Sequence, residues 1–227
     1  MPKLEFQVIS HEGTKTLPVE VEHLYIAGFA GRDINATMAH IEELAEMGVP
    51  RPASIPSYYD NGTNLLVQDG KIQVVGKGSS GEVEFVVLRH AGELYVGIGS
   101  DHTDRDLESV DVPKAKQVCP KPVGKTLWKY EEVKDHWDEL TMESWQVFDG
   151  ETVLYQSGKA ESLLPIETVA EGIWKERGAD LTNAVMFCGT VAAIGGIRGG
   201  SRFIGKVTDH KLGRSLDFAY DVEVISE

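Results

Sequence analysis

Two glutamates and an aspartate carry the first chemical suggestion in the sequence. Glu82 and Glu84 stand two apart in Gly81-Glu82-Val83-Glu84-Phe85-Val86-Val87-Leu88, and Asp101 follows in Ser100-Asp101-His102-Thr103-Asp104-Arg105-Asp106. The first stretch reads as a strand. Alternate residues of a strand point to one face, so Glu82 and Glu84 project together, with Cα atoms roughly 6.6–7 Å apart. Asp101, placed where the next strand ends, closes a set of three carboxylates. An all-oxygen set with open positions suits a hard divalent cation of the Mg2+ type. The ordinary alternative is a solvated strand face. Against it, Val83, Phe85 and Val87 fill one face while Val86 and Leu88 prolong the glutamate face. The strand therefore reads as covered on both sides, with its acids at a cleft or a rim. Unpaired carboxylates are costly there, and a cation is a natural partner.

Other residues offer acid–base and anion-binding chemistry. His40 and Glu43 are three apart on a predicted helix and share a face, opposite Met38, Ile41, Leu44 and Ala45. They are either a solvated pair or an imidazole oriented by a carboxylate to act as general base on water. Lys114, Lys116, Lys121 and Lys125 make a basic stretch just after the three carboxylates, from which one cation is available to an anionic substrate. Arg105 either positions such a substrate or pairs with Asp104 or Asp106. The Asp101–Asp106 segment lacks the spacing, glycine and terminal glutamate of an EF-hand. Neither Gly76, Gly78 and Gly81 nor Gly195-Gly196-Ile197-Arg198-Gly199-Gly200 fits a phosphate or dinucleotide loop. The second run reads as a flexible loop.

The elements that must position these groups are mostly strands. Strands are predicted over 4–9, 17–26, 64–68, 71–75, 82–89, 93–97, 146–148, 152–156, 184–188, 203–207 and 218–225. Turn signals fall at Asp69-Gly70, His90-Ala91-Gly92 and Asp149-Gly150. Helices are predicted over 37–47, stopped by Gly48, and over 165–177, with Pro165 in its first turn. Pro50, Pro52 and Pro56 mark an ordered loop.

Length and composition set the remaining bounds. The chain has 227 residues, 41% hydrophobic and 26% charged, with a formal net charge of −14. It is long enough for a sizeable core, and its charge disfavours nucleic acid and anionic membranes as partners. Cys119 and Cys188 form no disulfide framework or zinc spacing. No stretch approaches transmembrane length and the N-terminus lacks an apolar leader core, so a cytoplasmic location is expected.

Taken in order, these pieces resemble the fumarylacetoacetate hydrolase superfamily across residues 24–226. Gly31-Arg32-Asp33 precedes His40-Ile41-Glu42-Glu43; the Glu82-Val83-Glu84 strand and Ser100-Asp101-His102-Thr103-Asp104-Arg105-Asp106 follow. Lys116-Gln117-Val118-Cys119-Pro120, Phe148-Asp149-Gly150 and Cys188-Gly189-Thr190-Val191 complete the series. The last departs from a Thr-Gly-Thr-Pro pattern at Cys188 and Val191, and Lys114 competes with Lys116 for the lysine position, with Lys116 preferred.

The resemblance implies an α+β, strand-rich fold, a mixed β-sheet roll with a few short helices. It is expected as a single domain over 1–227, with N-terminal strands in 1–23 and the catalytic core in 24–227. It implies one Mg2+ or Mn2+ per chain held by Glu82, Glu84 and Asp101. His40 and Glu43 would activate water, Lys116 would offset developing negative charge, and Arg105 and Thr190 would position substrate. The implied reaction is hydrolysis of a carbon–carbon bond in a small oxo-acid or 1,3-dicarbonyl acid through a metal-bound enolate. Decarboxylation or tautomerisation of a 2-oxo acid at the same site is the alternative, and a non-catalytic small-molecule binding protein is a second. A homodimer acting on a small anionic oxo-acid is expected.

Overall fold

The structure, a computed structural model, describes residues 1–46, 49–178 and 181–226, with the side chains of His40 and Leu44 outside the description. The predicted stop at Gly48 and the end of the first helix at Met47 lie outside the described residues.

Two mixed sheets dominate. One has eight strands in the order Gly13–Glu20, Lys3–Ser10, Thr126–Lys129, Glu93–Ser100, Val83–His90, Ala184–Phe187, His23–Gly28 and Ser57–Asn61. The other has five, in the order Glu151–Lys159, Thr141–Phe148, Arg202–Asp209, Arg214–Ser226 and Lys71–Val75. Two short ladders join loops near the carboxylates: Ser79–Ser80 with Thr103–Asp104, and Leu66–Val67 with Lys121–Pro122. Helices cover Ile34–Glu46, Arg105–Glu108, Val112–Gln117 and Ile166–Arg177. This is the strand-rich mixed roll with few short helices that the motif order implies.

The Val83–His90 strand lies inside the eight-stranded sheet, between Glu93–Ser100 and Ala184–Phe187. Its first six residues are buried. Val83, Phe85 and Val87 enter a core shared by both sheets and the Ile166–Arg177 helix, while Val86 and Leu88 enter a second core with Phe6, Leu24 and Leu127. The double coverage read from the sequence is therefore present, and it leaves no solvent face on which Glu84 could sit.

Several local expectations change. The predicted strand over 17–26 is two strands, Gly13–Glu20 and His23–Gly28, separated within one sheet. The backbone between them turns away because Val21 N–H donates to Pro2 and Glu22 N–H to Asn183. Asp69-Gly70 is no hairpin turn: Leu66–Val67 pairs in parallel with Lys121–Pro122, and Lys71–Val75 in parallel with Arg214–Ser226. His90 pairs directly with Glu93, so the turn there is Ala91-Gly92, at φ 51° and 82°. Asp149-Gly150 makes the same kind of turn at φ 49° and 85°. Both are left-handed pairs that match strand twist. The first helix starts three residues early, because the Asp33 carboxylate accepts from Asn35 and Ala36 N–H at 2.9 and 3.2 Å and caps it. Met38, expected in its apolar stripe, is exposed.

Close backbone approach sets the register beside Glu84. Gly99 pairs opposite it, and a Cβ there would stand 2.7 Å from Val86, 2.9 Å from Phe187 and 2.9 Å from the Pro122 carbonyl. Gly99→Ala is expected to cost about 1–3 kcal/mol through overpacking. In thermal unfolding that is a fall of roughly 2–4 °C per kcal/mol for a chain of this size; an unchanged midpoint would show that the strands separate freely here.

Candidate functional site

The carboxylates meet where the Val83–His90 strand begins and the Glu93–Ser100 strand ends. Asp101 N–H donates to the Glu82 carbonyl at 3.0 Å, and Glu82 N–H to Ser100 Oγ at 3.2 Å. One oxygen from each of Glu82, Glu84 and Asp101 lies within 4.8 Å of the others. Glu84 and Asp101 are buried, whereas Glu82 keeps partial exposure. Every donor is a hard oxygen and the set is crowded enough to repel itself, so its chemistry fits a divalent cation of the Mg2+ or Mn2+ kind.

Each carboxylate has its own compensation. Asp101 lies between two ammonium groups: Lys116 Nζ donates to Oδ2, and Lys121 Nζ stands 3.3 Å from Oδ1. Burial alone would raise its pKa, but the two lysines outweigh that and hold it down to about 2. Glu84 accepts from the Gly189 N–H at 2.8 Å and shares the charge of Lys116, which favours its ionised form. Burial and then the nearby Asp101 charge push its pKa well above the usual carboxylate range. Glu82 pairs with Arg105 at 3.2 Å.

The structure places the expected residues unevenly. Of the competing lysines, Lys116 is buried against the carboxylates, with its Nζ 5.6 Å from the centre of the Tyr59 ring. Lys114 is exposed and pairs with Asp111. For Lys116 burial works against the charge, yet Asp101, Glu82 and Glu108 prevail and raise its pKa. Arg105 pairs with neither Asp104 nor Asp106. Asp104 caps the Arg105–Glu108 helix through Leu107 N–H and Asp106 is exposed. The guanidinium instead joins Glu82, Glu108 at 2.8 Å and Ser80 Oγ at 2.8 Å.

Thr190 gives its hydroxyl proton to the Val83 carbonyl at 2.6 Å and accepts from Gln156 Nε2 at 2.8 Å. That proton is committed to the strand between the two glutamates. Glu43 is exposed on the Ile34–Glu46 helix, and the His40 side chain lies outside the described residues. The pairing expected of these two is thus not part of the described geometry.

Sequence reasoning missed four participants. Glu108 completes an Arg105 clamp, and only its i,i+3 spacing could have suggested it. Tyr59 follows the proline loop and covers Lys116. Gln156 is fully buried, with Oε1 accepting from Val83 N–H and Ser144 Oγ and Nε2 donating to Thr190 and the Val191 carbonyl. Its whole amide capacity is used in one place. Lys121, read only as one lysine of a basic stretch, is completely buried.

The charges of the site make opposite predictions for two neighbouring acids. Asp101→Asn leaves two buried ammonium groups without their carboxylate and is expected to cost about 3–5 kcal/mol. Glu84→Gln removes a charge that burial disfavours, so metal-free protein should keep or gain stability. The linkage follows the same signs. Asp101 contributes stability above the unfolded carboxylate range that is lost as pH falls towards about 2, whereas Glu84 weakens the metal-free fold as pH rises through its raised pKa. Chemical denaturation of wild-type protein and both variants from neutral pH down to about pH 3 checks this. A Glu84→Gln variant as unstable as Asp101→Asn would contradict it.

A sequence family described as "Protein of unknown function (DUF2848)" matches residues 27–220. No curated protein sequence matches the chain. Among solved structures, a candidate fumarylacetoacetate isomerase/hydrolase from Oleispira antarctica superposes with a TM-score of 0.71 at 18% identity, covering 98% of this chain and 100% of that one. A candidate fumarylpyruvate hydrolase from Burkholderia cenocepacia gives 0.64 at 19% identity, covering 99% and 93%. A 2-keto-3-deoxy-D-arabinonate dehydratase complexed with magnesium and 2,5-dioxopentanoate gives 0.67 at 16% identity, covering 96% and 79%. The fold is that of the fumarylacetoacetate hydrolase proteins. Among the described residues, no helix is long and apolar enough to cross a membrane.

Proposed function

For this chain, which belongs to the DUF2848 family, we propose a divalent-metal-dependent enzyme acting on a small oxo-acid or 1,3-dicarbonyl acid by hydrolysis of a carbon–carbon bond. The observation that carries the reading is the convergence of Glu82, Glu84 and Asp101 within 4.8 Å at a buried strand end, with the Lys116 ammonium on Asp101. The magnesium in the dehydratase complex supports the choice of cation. Glu82, Glu84 and Asp101 would hold Mg2+ or Mn2+, which supplies Lewis-acid polarisation of a chelated carbonyl.

The chain's own residues supply the rest. Lys116 is the cation nearest the carboxylates that offers protons beyond its one bond to Asp101, and it would stabilise enolate or carboxylate charge on the ligand. Arg105, held by Glu82 and Glu108, orients Glu82. Thr190 and Gly189 fix the strand and Glu84. His40, with Glu43 on the same helix, would take the proton from an attacking water. Decarboxylation or tautomerisation needs the same carboxylates and Lys116 without that base, so His40 separates the reactions.

Two measurements test this reading. Calorimetric titration of metal-depleted protein with Mn2+ should give one site per chain. Glu82→Ala should weaken it by at least about tenfold, the lower end of what even outer-shell changes cost, and oxalate should bind only to the loaded protein. Wild-type protein that takes up no Mn2+ would sink the metalloenzyme reading. In a screen of oxo-acids, His40→Ala should reduce C–C hydrolysis by about 10²–10⁴-fold while Mn2+ affinity stays unchanged. Hydrolysis at the wild-type rate would remove His40 from the mechanism, and survival of decarboxylation alone would favour that reaction.

A further inference from the structure

Lys121 is the one lysine among the described residues with no exposed surface, and its surroundings are built for it. Its Nζ donates to the carbonyls of His102, Lys116 and Cys119, the last at 3.2 Å, and stands 3.3 Å from Asp101 Oδ1. Burial pulls its pKa below the ordinary lysine value, Asp101 opposes that, and Lys116 adds to it. The acceptors decide its state. Four oxygens surround a nitrogen that has three protons as an ammonium but only two as an amine, and the amine's lone pair would have to face an oxygen. Breaking such a buried cation away from its partners would be strongly disfavoured.

Lys116 differs on each count. Among the described residues it makes one charged hydrogen bond, to the other oxygen of Asp101, and its ammonium lies beside the Tyr59 ring and the carboxylates. If Lys116 were the sole counter-ion of Asp101, any move of its ammonium towards a bound ligand would strand a fully buried carboxylate. Lys121 removes that constraint, because Asp101 stays compensated through Oδ1. The three carbonyl bonds also fasten the end of the Val112–Gln117 helix to the loop that carries Asp101, so Lys116 and Asp101 keep their relative position.

We propose that Lys121 is a positioning residue, a fixed internal counter-ion of Asp101 that leaves the Lys116 ammonium available to the anionic ligand. The inference rests on the metal-dependent reading above, and its test separates the two. Oxalate affinity is measured calorimetrically at saturating Mn2+, so that changes in metal affinity do not enter. Lys121→Met should lower it about tenfold, Lys116→Met at least as much, and the double variant no further than Lys116→Met, because one residue acts through the other. A merely structural lysine would lower the unfolding midpoint and leave oxalate affinity of the folded protein unchanged. That outcome, or losses that simply add, overturns the proposal.

Should Lys121→Met fail to fold, wild-type protein carrying 15Nζ-lysine and loaded with Mg2+ gives the answer. Oxalate should shift the Lys116 ammonium resonance, identified by its loss in Lys116→Met, and leave the buried Lys121 resonance in place. Movement of both, or of neither, overturns the division of roles. Wild-type protein that binds no Mn2+ brings down the metal reading and this inference together. Wild-type protein that binds Mn2+ and oxalate, with Lys121→Met indistinguishable from it, brings down this inference alone.

Discussion

Placing carboxylates inside a protein is the constraint around which this molecule is arranged. An ionised carboxylate removed from water is strongly disfavoured unless it is paired and hydrogen-bonded. Glu84 and Asp101 are both buried and face one another's charge. The fold answers at Asp101 with two lysines and at Glu82 with an arginine, and gives Glu84 one backbone N–H and a share of the Lys116 charge, too little to offset its burial. The metal-free site is thus balanced at two acids and left costly at the third. That imbalance is what a bound divalent cation would relieve.

Rigidity follows from the same need. A set of acids closing on one point must hold its geometry without relying on the ligand, and the surrounding backbone is tied accordingly. Gln156 and Thr190 take both polar groups of Val83, Asp101 N–H bonds the Glu82 carbonyl, and Gly189 reaches Glu84 from the loop after the neighbouring strand. The two cores grip the Val83–His90 strand from opposite faces. A displacement of Glu82 or Glu84 would therefore disturb packing in both sheets.

What the sequence made legible was the part governed by local pattern. Glu82 and Glu84 share a face because strands alternate, and Val86 and Leu88 on that face announced that it was covered. The Asp149-Gly150 turn and the Ile166–Arg177 helix followed from turn chemistry and helical spacing. What stayed hidden depends on partners far along the chain. Asp69-Gly70 has the residues of a tight turn, yet its flanking strands find better partners at Lys121–Pro122 and Arg214–Ser226. Lys121 is indistinguishable in sequence from its exposed neighbour Lys125, because its burial comes from carbonyls at three positions and a carboxylate twenty residues back. Arg105 sat beside two aspartates in sequence and chose Glu82 and Glu108, since Asp104 was already spent on a helix cap.

The same reasoning weighs the two departures from the Thr-Gly-Thr-Pro pattern, which otherwise favour a retired, non-catalytic scaffold. Cys188 is buried, directs its thiol to the Met186 carbonyl, and is held in the protonated form by burial and the Glu84 charge. Val191 packs over Gly158 and lends only its carbonyl, to Gln156. The contacts that matter to the carboxylates come from the two residues between them: the Gly189 N–H to Glu84, at a positive φ of 93° suited to glycine, and the Thr190 hydroxyl to Val83. The two departures fall where the side chain makes no polar contact with the carboxylates, and the residues between them supply the backbone bond to Glu84 and the hydroxyl bond to the strand that carries it. A scaffold that had lost its chemistry would have no physical reason to keep Glu84 buried and poorly compensated, because replacing it with an apolar residue of similar size would relieve the fold.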